Sequence, residues 1–303
     1  MKTQTIGVEI EMTGITRKAA AETVAKYFGT AATYTGGTYG TYEVGSNDGR
    51  IWKLMRDGSI KTQRKVDGSL EGASGEYSVE LVTPILKYED IETLQEIVRK
   101  IRKAGAFVNE SCGMHIHIGA SDFTPQAVRN LVNAVASKEN LLYKALKVHE
   151  SRKRYCKPTD QRFLRDLNEN KPATMKKLAE IWYNTSEIFV RSRRREHYHE
   201  SRYTVCNLHA LFNKGTIEFR IFNATLHAGE VKAAIQLCLA LTHQAKTTKK
   251  AIYRPTETDN PKYTMRCWLL RLGMIGEEFA TCRYHFLKNL EGNAAWRNAE
   301  VTA

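Results

Sequence analysis

The sequence has 303 residues, of which 42% are hydrophobic and 26% charged, and this is the composition of a folded globular protein with a sizeable core. Its longest apolar stretch, residues 233–241, is too short to cross a bilayer, and the N-terminus lacks the apolar core of a signal peptide, so we expect a cytoplasmic protein without membrane segments. The 46 Lys and Arg residues exceed the 33 Asp and Glu residues, and the formal net charge of +13 favours anionic partners such as a nucleotide, an acidic substrate or nucleic acid.

The first third of the chain predicts strands alternating with helices. The predicted strands are residues 5–12, 51–55 and 77–85, and the predicted helices are residues 17–28 and 88–103. Thr16 can cap the first helix and Gly29 ends it. Residues 30–49 are rich in Thr, Tyr and Gly, and this composition favours an exposed hairpin or a flap.

The remainder of the chain predicts one further strand, a long helix, a polar lobe and then two paired strands. The predicted elements are a strand at 111–119, a helix at 125–148, a basic lobe of short helices at 149–202, strands at 203–212 and 216–222, a helix at 229–245, a linker at 246–262, and helices at 264–272 and 277–290. Asn213-Lys214-Gly215 is a turn signal, which predicts a hairpin between the two paired strands.

Four predicted strands carry polar, chemically active side chains on one face. Side chains in a strand alternate between its two faces, so His115 and His117 share one face while the intervening residues face a core. The corresponding residues of the other strands are Glu9 and Glu11, Glu80, and Glu218 with Arg220. A buried pair of carboxylates is costly unless a cation compensates it, so the pattern predicts one sheet with a site for divalent metal and phosphate. The alternative for Glu9 and Glu11 is a solvent-facing strand surface.

These motifs resemble signatures of a known superfamily, in the same order along the chain. Residues 113–117 (GMHIH) resemble the Gly-Met-His-x-His strand of glutamine synthetase, and Glu9-x-Glu11 and Glu218-x-Arg220 resemble other motifs of the glutamine synthetase and glutamate-cysteine ligase superfamily. Residues 197–226 and 268–279 resemble the amidoligase family, a bacterial and phage-associated branch. The resemblance implies an α+β fold: a glutamine-synthetase-like catalytic domain with a mainly antiparallel curved sheet, helices on one face and a helical lobe.

The resemblance also implies an activity and a role for each site residue. The activity is that of an ATP-dependent carboxylate-amine ligase, which forms an amide or isopeptide bond through an acyl phosphate and releases ADP and phosphate. The implied ligands of Mg2+, or of Mn2+ in its place, are Glu9, Glu11, Glu80, His115 and Glu218. The implied phosphate contacts are His117, Arg202 and Arg220, of which the two arginines also act in catalysis, and Asp57 would orient the incoming amine. The superfamily has one more metal carboxylate near the position of Glu80, for which Glu71 and Glu76 are the candidates.

The predicted domain organisation is a catalytic domain at 1–245, containing the basic insertion at 149–202, followed by a linker and helical cap at 246–303. The expected partners are a small-molecule or peptide carboxylate and an amine, and members of the family are proposed to act with glutamine-amidotransferase-type proteins.

Two other functions are compatible with the sequence. One is a hydrolase or phosphotransferase with a two-metal site formed by the same residues. The other is a nucleic-acid-binding protein that uses the basic stretches 191–195 and 246–271, although such runs are most often solvated surfaces.

Overall fold

The computed structural model describes residues 1–297, which form ten strands and twelve α-helices. The strands are β1 (Ile6–Met12), β2 (Ala32–Gly36), β3 (Thr41–Gly45), β4 (Ile51–Met55), β5 (Gln63–Val66), β6 (Ser69–Gly72), β7 (Val79–Val82), β8 (Gly113–Gly119), β9 (Cys206–Asn207) and β10 (Thr216–Asn223). The α-helices are α1 (Arg17–Phe28), α2 (Ile91–Lys103), α3 (Pro125–Ala136), α4 (Glu139–Leu146), α5 (Glu150–Lys153), α6 (Gln161–Asn170), α7 (Met175–Tyr183), α8 (Glu187–Arg195), α9 (His209–Lys214), α10 (Ala228–Thr247), α11 (Pro261–Arg271) and α12 (Ala280–Leu287).

Eight of the strands form one sheet in the order β2-β3-β4-β7-β1-β8-β10-β9, and every neighbouring pair is antiparallel. The four strands with predicted site residues are therefore contiguous, in the order β7-β1-β8-β10. β5 and β6 pair only with each other, as a small hairpin. This arrangement confirms the coarse prediction of a mixed α and β fold with a large antiparallel sheet.

The apolar face of the sheet is covered by helices. Ile10 of β1 and Ile116 of β8 are fully buried in the same hydrophobic core as side chains of α1, α2, α3 and α10. The long helix α10 lies centrally and contacts β8, α2 and α3. Because the helices occupy one face, the other face of β7, β1, β8 and β10 is left for the polar side chains. Within residues 1–297, no helix combines the length and the apolar composition that crossing a bilayer requires.

Helix α1 follows the sequence prediction closely. Its N-cap Thr16 accepts a hydrogen bond from the Ala19 N–H, and Gly29 ends the helix in a left-handed conformation with φ of 69°. The predicted hairpin at 30–49 is also present, as β2 and β3.

The predicted hairpin between strands 203–212 and 216–222 is wrong in its turn and in most of its first strand, although β9 does pair antiparallel with β10. Only Cys206–Asn207 forms a strand before the turn, and residues 209–214 form the helix α9 instead. Gly215 has a φ of 72°, and its N–H donates to the carbonyl of Ala210 as a helix C-cap. A glycine in the left-handed conformation serves both a hairpin turn and a helix end, so the turn signal alone does not distinguish them.

The predicted helix at 125–148 is two helices, α3 and α4, separated at residues 137–138. At the end of α3, both the N–H and the hydroxyl of Ser137 donate to the carbonyl of Asn133, at 3.1 and 2.6 Å. The break turns Glu139 inward, where its buried carboxylate accepts hydrogen bonds from the N–H and hydroxyl of Thr159 in the lobe. The kink therefore ties the lobe to the sheet domain.

Candidate active site

The register of the four central strands brings the predicted site residues into direct opposition. Glu9 lies opposite His115, Glu11 lies opposite Glu80, and Glu218 lies opposite His117. Directly opposed residues of antiparallel strands project from the same face, so all six side chains converge on the polar face of the sheet.

Glu9 is at the centre of this cluster. One of its carboxylate oxygens lies 3.1 Å from Nδ1 of His115, and the other lies 3.4 Å from Nε2 of His117. Nδ1 of His115 is also 3.9 Å from a carboxylate oxygen of Glu218. His117 is oriented from its other side by Thr216, whose hydroxyl lies 2.9 Å from Nδ1. The two imidazoles thus share one carboxylate between them.

Three sets of three side chains place their ligand atoms within 4.8 Å of one another on this face. The sets are Glu9, His117 and Glu218; Glu9, Glu80 and His115; and Glu11, Asp57 and Glu80. Glu9 and Glu80 each belong to two sets, so the carboxylates form a continuous path from Glu218 through Glu9 and Glu80 to Asp57. Oxygen and imidazole nitrogen donors in this number suit divalent cations such as Mg2+ or Mn2+.

Asp57 lies beside the carboxylates of Glu11 and Glu80. Met55, the last residue of β4, pairs with Glu80, and Asp57 follows two residues later on the same side of the chain. The Ser78 hydroxyl fixes the backbone here, because it accepts from the N–H of Asp57 at 3.1 Å and donates to its carbonyl at 2.6 Å. In contrast, Glu71 and Glu76 belong to none of the ligand sets found among residues 1–297, and Glu71 is exposed on the β5–β6 hairpin beside Arg64.

The electrostatics of the cluster fit a cation. Burial, followed by the charge of Asp57, raises the pKa of Glu11 to about 7. Burial, followed by the charges of Glu9 and Glu11, raises the pKa of Glu80 well above its usual range. Among residues 1–297, the buried Nε2 of His115 has no hydrogen-bond partner, and the buried Nε2 of His117 has only the Glu9 oxygen 3.4 Å away. Repelling carboxylates beside imidazole nitrogens on one face are a donor set that suits a metal ion.

Glu218 has the opposite electrostatic environment. Burial alone would raise its pKa, but the neighbouring Arg220 guanidinium lowers the pKa to about 2. Arg220 Nη1 donates to one oxygen of Glu218, and the side-chain amide of Asn207 donates to the other at 2.7 Å. Glu218 is therefore ionised and held rigidly, and Arg220 is already engaged with it.

Arg152 is a buried site residue that the sequence prediction missed. It comes from α5 of the lobe, is only 2% exposed, and places Nη1 4.0 Å from Glu11. Its Nη2 donates to the carbonyl of Arg220 at 3.1 Å. Lys214 was also missed, and its Nζ lies 3.9 Å from Glu9. Arg152 lies in a basic stretch without strand or helix periodicity, and Lys214 lies in the segment predicted as a hairpin turn, so neither had a signal that pointed to the site.

Arg202 lies beside the site rather than within the carboxylate cluster. Its guanidinium is 5.8 Å from the ring centre of Tyr203, and the same ring is 5.9 Å from the Arg220 guanidinium. Arg202 Nη1 donates to the carbonyl of His197 at 2.9 Å. The Tyr203 ring thus lies near both arginines, Arg202 and Arg220, for which the sequence resemblance implies phosphate contacts. These phosphate contacts stay predictions.

Comparison with known proteins identifies the family. The family model described as "Putative amidoligase enzyme" matches residues 2–242, which include all four site strands. No curated protein matches the chain. Among solved structures, the chain is similar to a bifunctional glutathione synthetase from Pasteurella multocida, with 12% identity and a TM-score of 0.45; the match covers 95% of this chain and 48% of that one, so the chain spans about half the length of that protein. The family resemblance of the sequence motifs is thereby confirmed: the chain belongs to the amidoligase family.

Proposed function

We propose that the protein is an ATP-dependent carboxylate-amine ligase that forms an amide or isopeptide bond through an acyl phosphate. The observation that carries the proposal is the convergence of Glu9, Glu11, Glu80 and Glu218 with two imidazoles on one face of the sheet. The family is one of amidoligases, and a buried carboxylate cluster that requires cations suits an enzyme whose co-substrate is a metal-bound triphosphate.

The reaction couples an unfavourable condensation to cleavage of ATP. An oxygen of the substrate carboxylate attacks the γ-phosphorus, the bond to the bridging oxygen breaks, and ADP leaves. The amine nitrogen then attacks the acyl carbon, phosphate leaves, and the nitrogen loses a proton. Bound Mg2+ would neutralise the phosphate oxygens during the first step.

Two neighbouring cation positions are supported by the ligand sets. Glu9, Glu80 and His115 would hold one ion, with Glu218 beside them 3.9 Å from Nδ1 of His115, and Glu11, Glu80 and Asp57 would hold the other. We therefore propose Asp57 as the additional metal carboxylate, in place of its predicted role as an amine orienter. Arg152, with Nη1 4.0 Å from an oxygen of Glu11, would keep Glu11 in position.

The cationic side chains beside the carboxylates are proposed phosphate contacts. Lys214 lies next to Glu9, and Arg202 lies on the Tyr203 side of the site. His117 and Arg220 complete this group. Cations on both sides of the metal positions would stabilise the negative charge that develops on the transferred phosphoryl group.

The predicted domain organisation, substrates and partner form part of the same proposal. They are a glutamine-synthetase-like catalytic domain at 1–245 with a cap at 246–303, small or peptide carboxylates and amines as substrates, and a glutamine-amidotransferase-type partner.

The test is a screen of carboxylates and amines for amine-stimulated ADP release in the presence of Mg2+. We expect His115→Ala and Glu80→Gln to lower ADP release by at least about 100-fold, because each removes a metal donor without changing the apolar face. Glu71→Gln is the matched control and should retain wild-type activity, because Glu71 is exposed and distant from the ligand sets.

Two results would contradict the proposal. Turnover of a substrate with metal but without nucleotide would instead indicate a hydrolase. Wild-type ADP release by either site variant would show that the assigned carboxylates and imidazole do not perform the chemistry.

A further inference from the structure

A second cavity lies between α3, α6 and the segment that follows α10. Its volume is about 420 Å³, which is within the range of sites for small molecules. The charged side chains that line it are Arg129, Arg165, Lys171, Lys250 and Glu169. None of them belongs to the carboxylate cluster. Four cations and one carboxylate give the cavity a clear preference for an anion.

Arg129 is the most informative of these residues. It is only 9% exposed, and its one side-chain hydrogen bond goes from Nη2 to the Gln126 side-chain oxygen at 2.6 Å. Among residues 1–297, no carboxylate forms an ion pair with Arg129 within 4.0 Å, whereas Arg165, which also lines the cavity, is paired with Asp166 at 3.5 Å. A buried guanidinium without a counter-charge is costly, and an anion in the cavity would provide one.

Buried amides hold the wall that carries Lys250 in place. The Asn130 amide donates to the carbonyls of Ala245 and Thr248, and its oxygen accepts from the Ala251 N–H at 2.9 Å. Asn133 donates to the carbonyl of Ala251 at 3.0 Å and also exchanges hydrogen bonds with Asn168 of α6. Three chain segments are thus locked together, so the cavity is formed before any ligand binds and little ordering accompanies binding.

We propose that this cavity binds a small phosphorylated molecule. Its phosphate would contact Arg129 and Lys250, because guanidinium and ammonium groups bind phosphate through charge-assisted hydrogen bonds. Its less polar part would lie against Tyr253, which also lines the cavity. A nucleotide and a phosphorylated metabolite share this chemistry. The site is separate from the proposed ligase site and does not depend on the ligase proposal.

The test measures binding of pyrophosphate and of ATP to the full chain by titration calorimetry in EDTA. Without metal, the carboxylate cluster repels these anions, so the cavity dominates binding. We expect Arg129→Gln and Lys250→Glu each to weaken pyrophosphate binding by about tenfold or more, which corresponds to the loss of one charge-assisted contact. The control, Arg193→Gln on the exposed helix α8, should bind as the wild type does.

Tighter binding of ATP than of pyrophosphate would identify a nucleotide, and equal binding would identify a simpler phosphorylated molecule.

Lys250 is exposed, so Lys250→Glu keeps the test valid even if the buried Arg129→Gln variant does not fold. The proposal is overturned if the wild type does not bind pyrophosphate at millimolar concentration, or if Arg193→Gln loses as much affinity as the cavity variants. It is also overturned if the cavity variants lose affinity for a single-stranded oligonucleotide but not for pyrophosphate, because that result would indicate a nucleic-acid surface.

Discussion

The Arg152 guanidinium occupies the space where a side chain at Gly113 would begin. A Cβ atom at position 113 would overlap Nη1 of Arg152, and Arg152 is buried and bonded to the carbonyl of Arg220. The Gly113 N–H donates to a carboxylate oxygen of Glu11 at 2.6 Å. Gly113, the first residue of β8, therefore allows Arg152 from the lobe to approach Glu11, a proposed metal ligand on β1.

We expect Gly113→Ala to disturb this contact. The added methyl group has to displace a buried guanidinium, and overpacking of this kind costs about 1–3 kcal/mol in the free energy of unfolding. Urea denaturation measures that loss, and ADP release measures the accompanying loss of activity. Gly72→Ala is the control, because a Cβ at Gly72 meets no atom within 4 Å. If Gly113→Ala were as stable and active as the control, Arg152 would not be a positioning residue for Glu11.

Asp57→Asn separates the two roles considered for Asp57. If Asp57 binds a cation, the Mg2+ concentration for half-maximal activity should rise by about tenfold or more while the KM for the amine stays within about twofold. The fold should tolerate the change, because the oxygen that accepts from the Ser59 N–H and hydroxyl is retained. A raised amine KM with an unchanged Mg2+ requirement would restore the role of amine orienter. Asp67→Asn, at the Asp67-Gly68 turn between β5 and β6, should leave both quantities unchanged.

The contribution of Glu11 to the stability of the metal-free protein should decrease as pH rises from about 4.5 to about 7. Glu11 has its pKa raised to about 7 in the folded protein by burial and by Asp57, whereas the ordinary value is 4.5. The unfolded chain therefore releases this proton first, and the folded protein loses up to roughly 3 kcal/mol across the window. Below pH 4.5 the carboxyl group is protonated in both states, so the full stabilisation is present there.

Relative to the wild type, Glu11→Gln should lose this contribution in EDTA, so the difference in stability between the two proteins, measured by urea denaturation, should change by up to roughly 3 kcal/mol between pH 4.5 and 8. Glu71→Gln should follow the wild-type curve, since that residue is exposed. Adding Mg2+ should raise the stability of the wild type above pH 7, because the ion binds only the folded protein. Identical slopes for Glu11→Gln and the wild type would show that Glu11 does not titrate with a raised pKa.

The exposed arginines of α8 should influence substrate use. We expect Arg191→Glu with Arg195→Glu to raise the KM for an acidic substrate by about tenfold at low salt and by less at higher salt, without abolishing ATP binding, because surface charges act through a screened field. Lys18→Glu with Lys26→Glu, on α1, changes the net charge equally and is the control. If the wild type and both double variants had equal kinetics, the α8 arginines would form a solvated surface without a role in substrate use.

The sequence determines the polar face of each site strand. His115 and His117, or Glu9 and Glu11, must share a face because the side-chain period of a strand is a local property of the backbone. The same local rules place the ends of α1 at Thr16 and Gly29. For this reason the sequence alone predicts that five proposed metal ligands lie on the polar faces of their strands. The same motifs also predict the family.

The tertiary structure decides which groups complete the site. The pairing of Glu9 with His115, and of Glu11 with Glu80, depends on the register between strands that are distant along the chain. Arg152, Lys214 and Asp57 lie in a lobe helix, a helix end and a turn, where no periodicity indicates a direction. Packing of the lobe brings Arg152 to the carboxylates, whereas the pairing of β4 with β7 brings Asp57 there and the short helix α9 before β10 brings Lys214. Such long-range contacts have no counterpart in local sequence pattern.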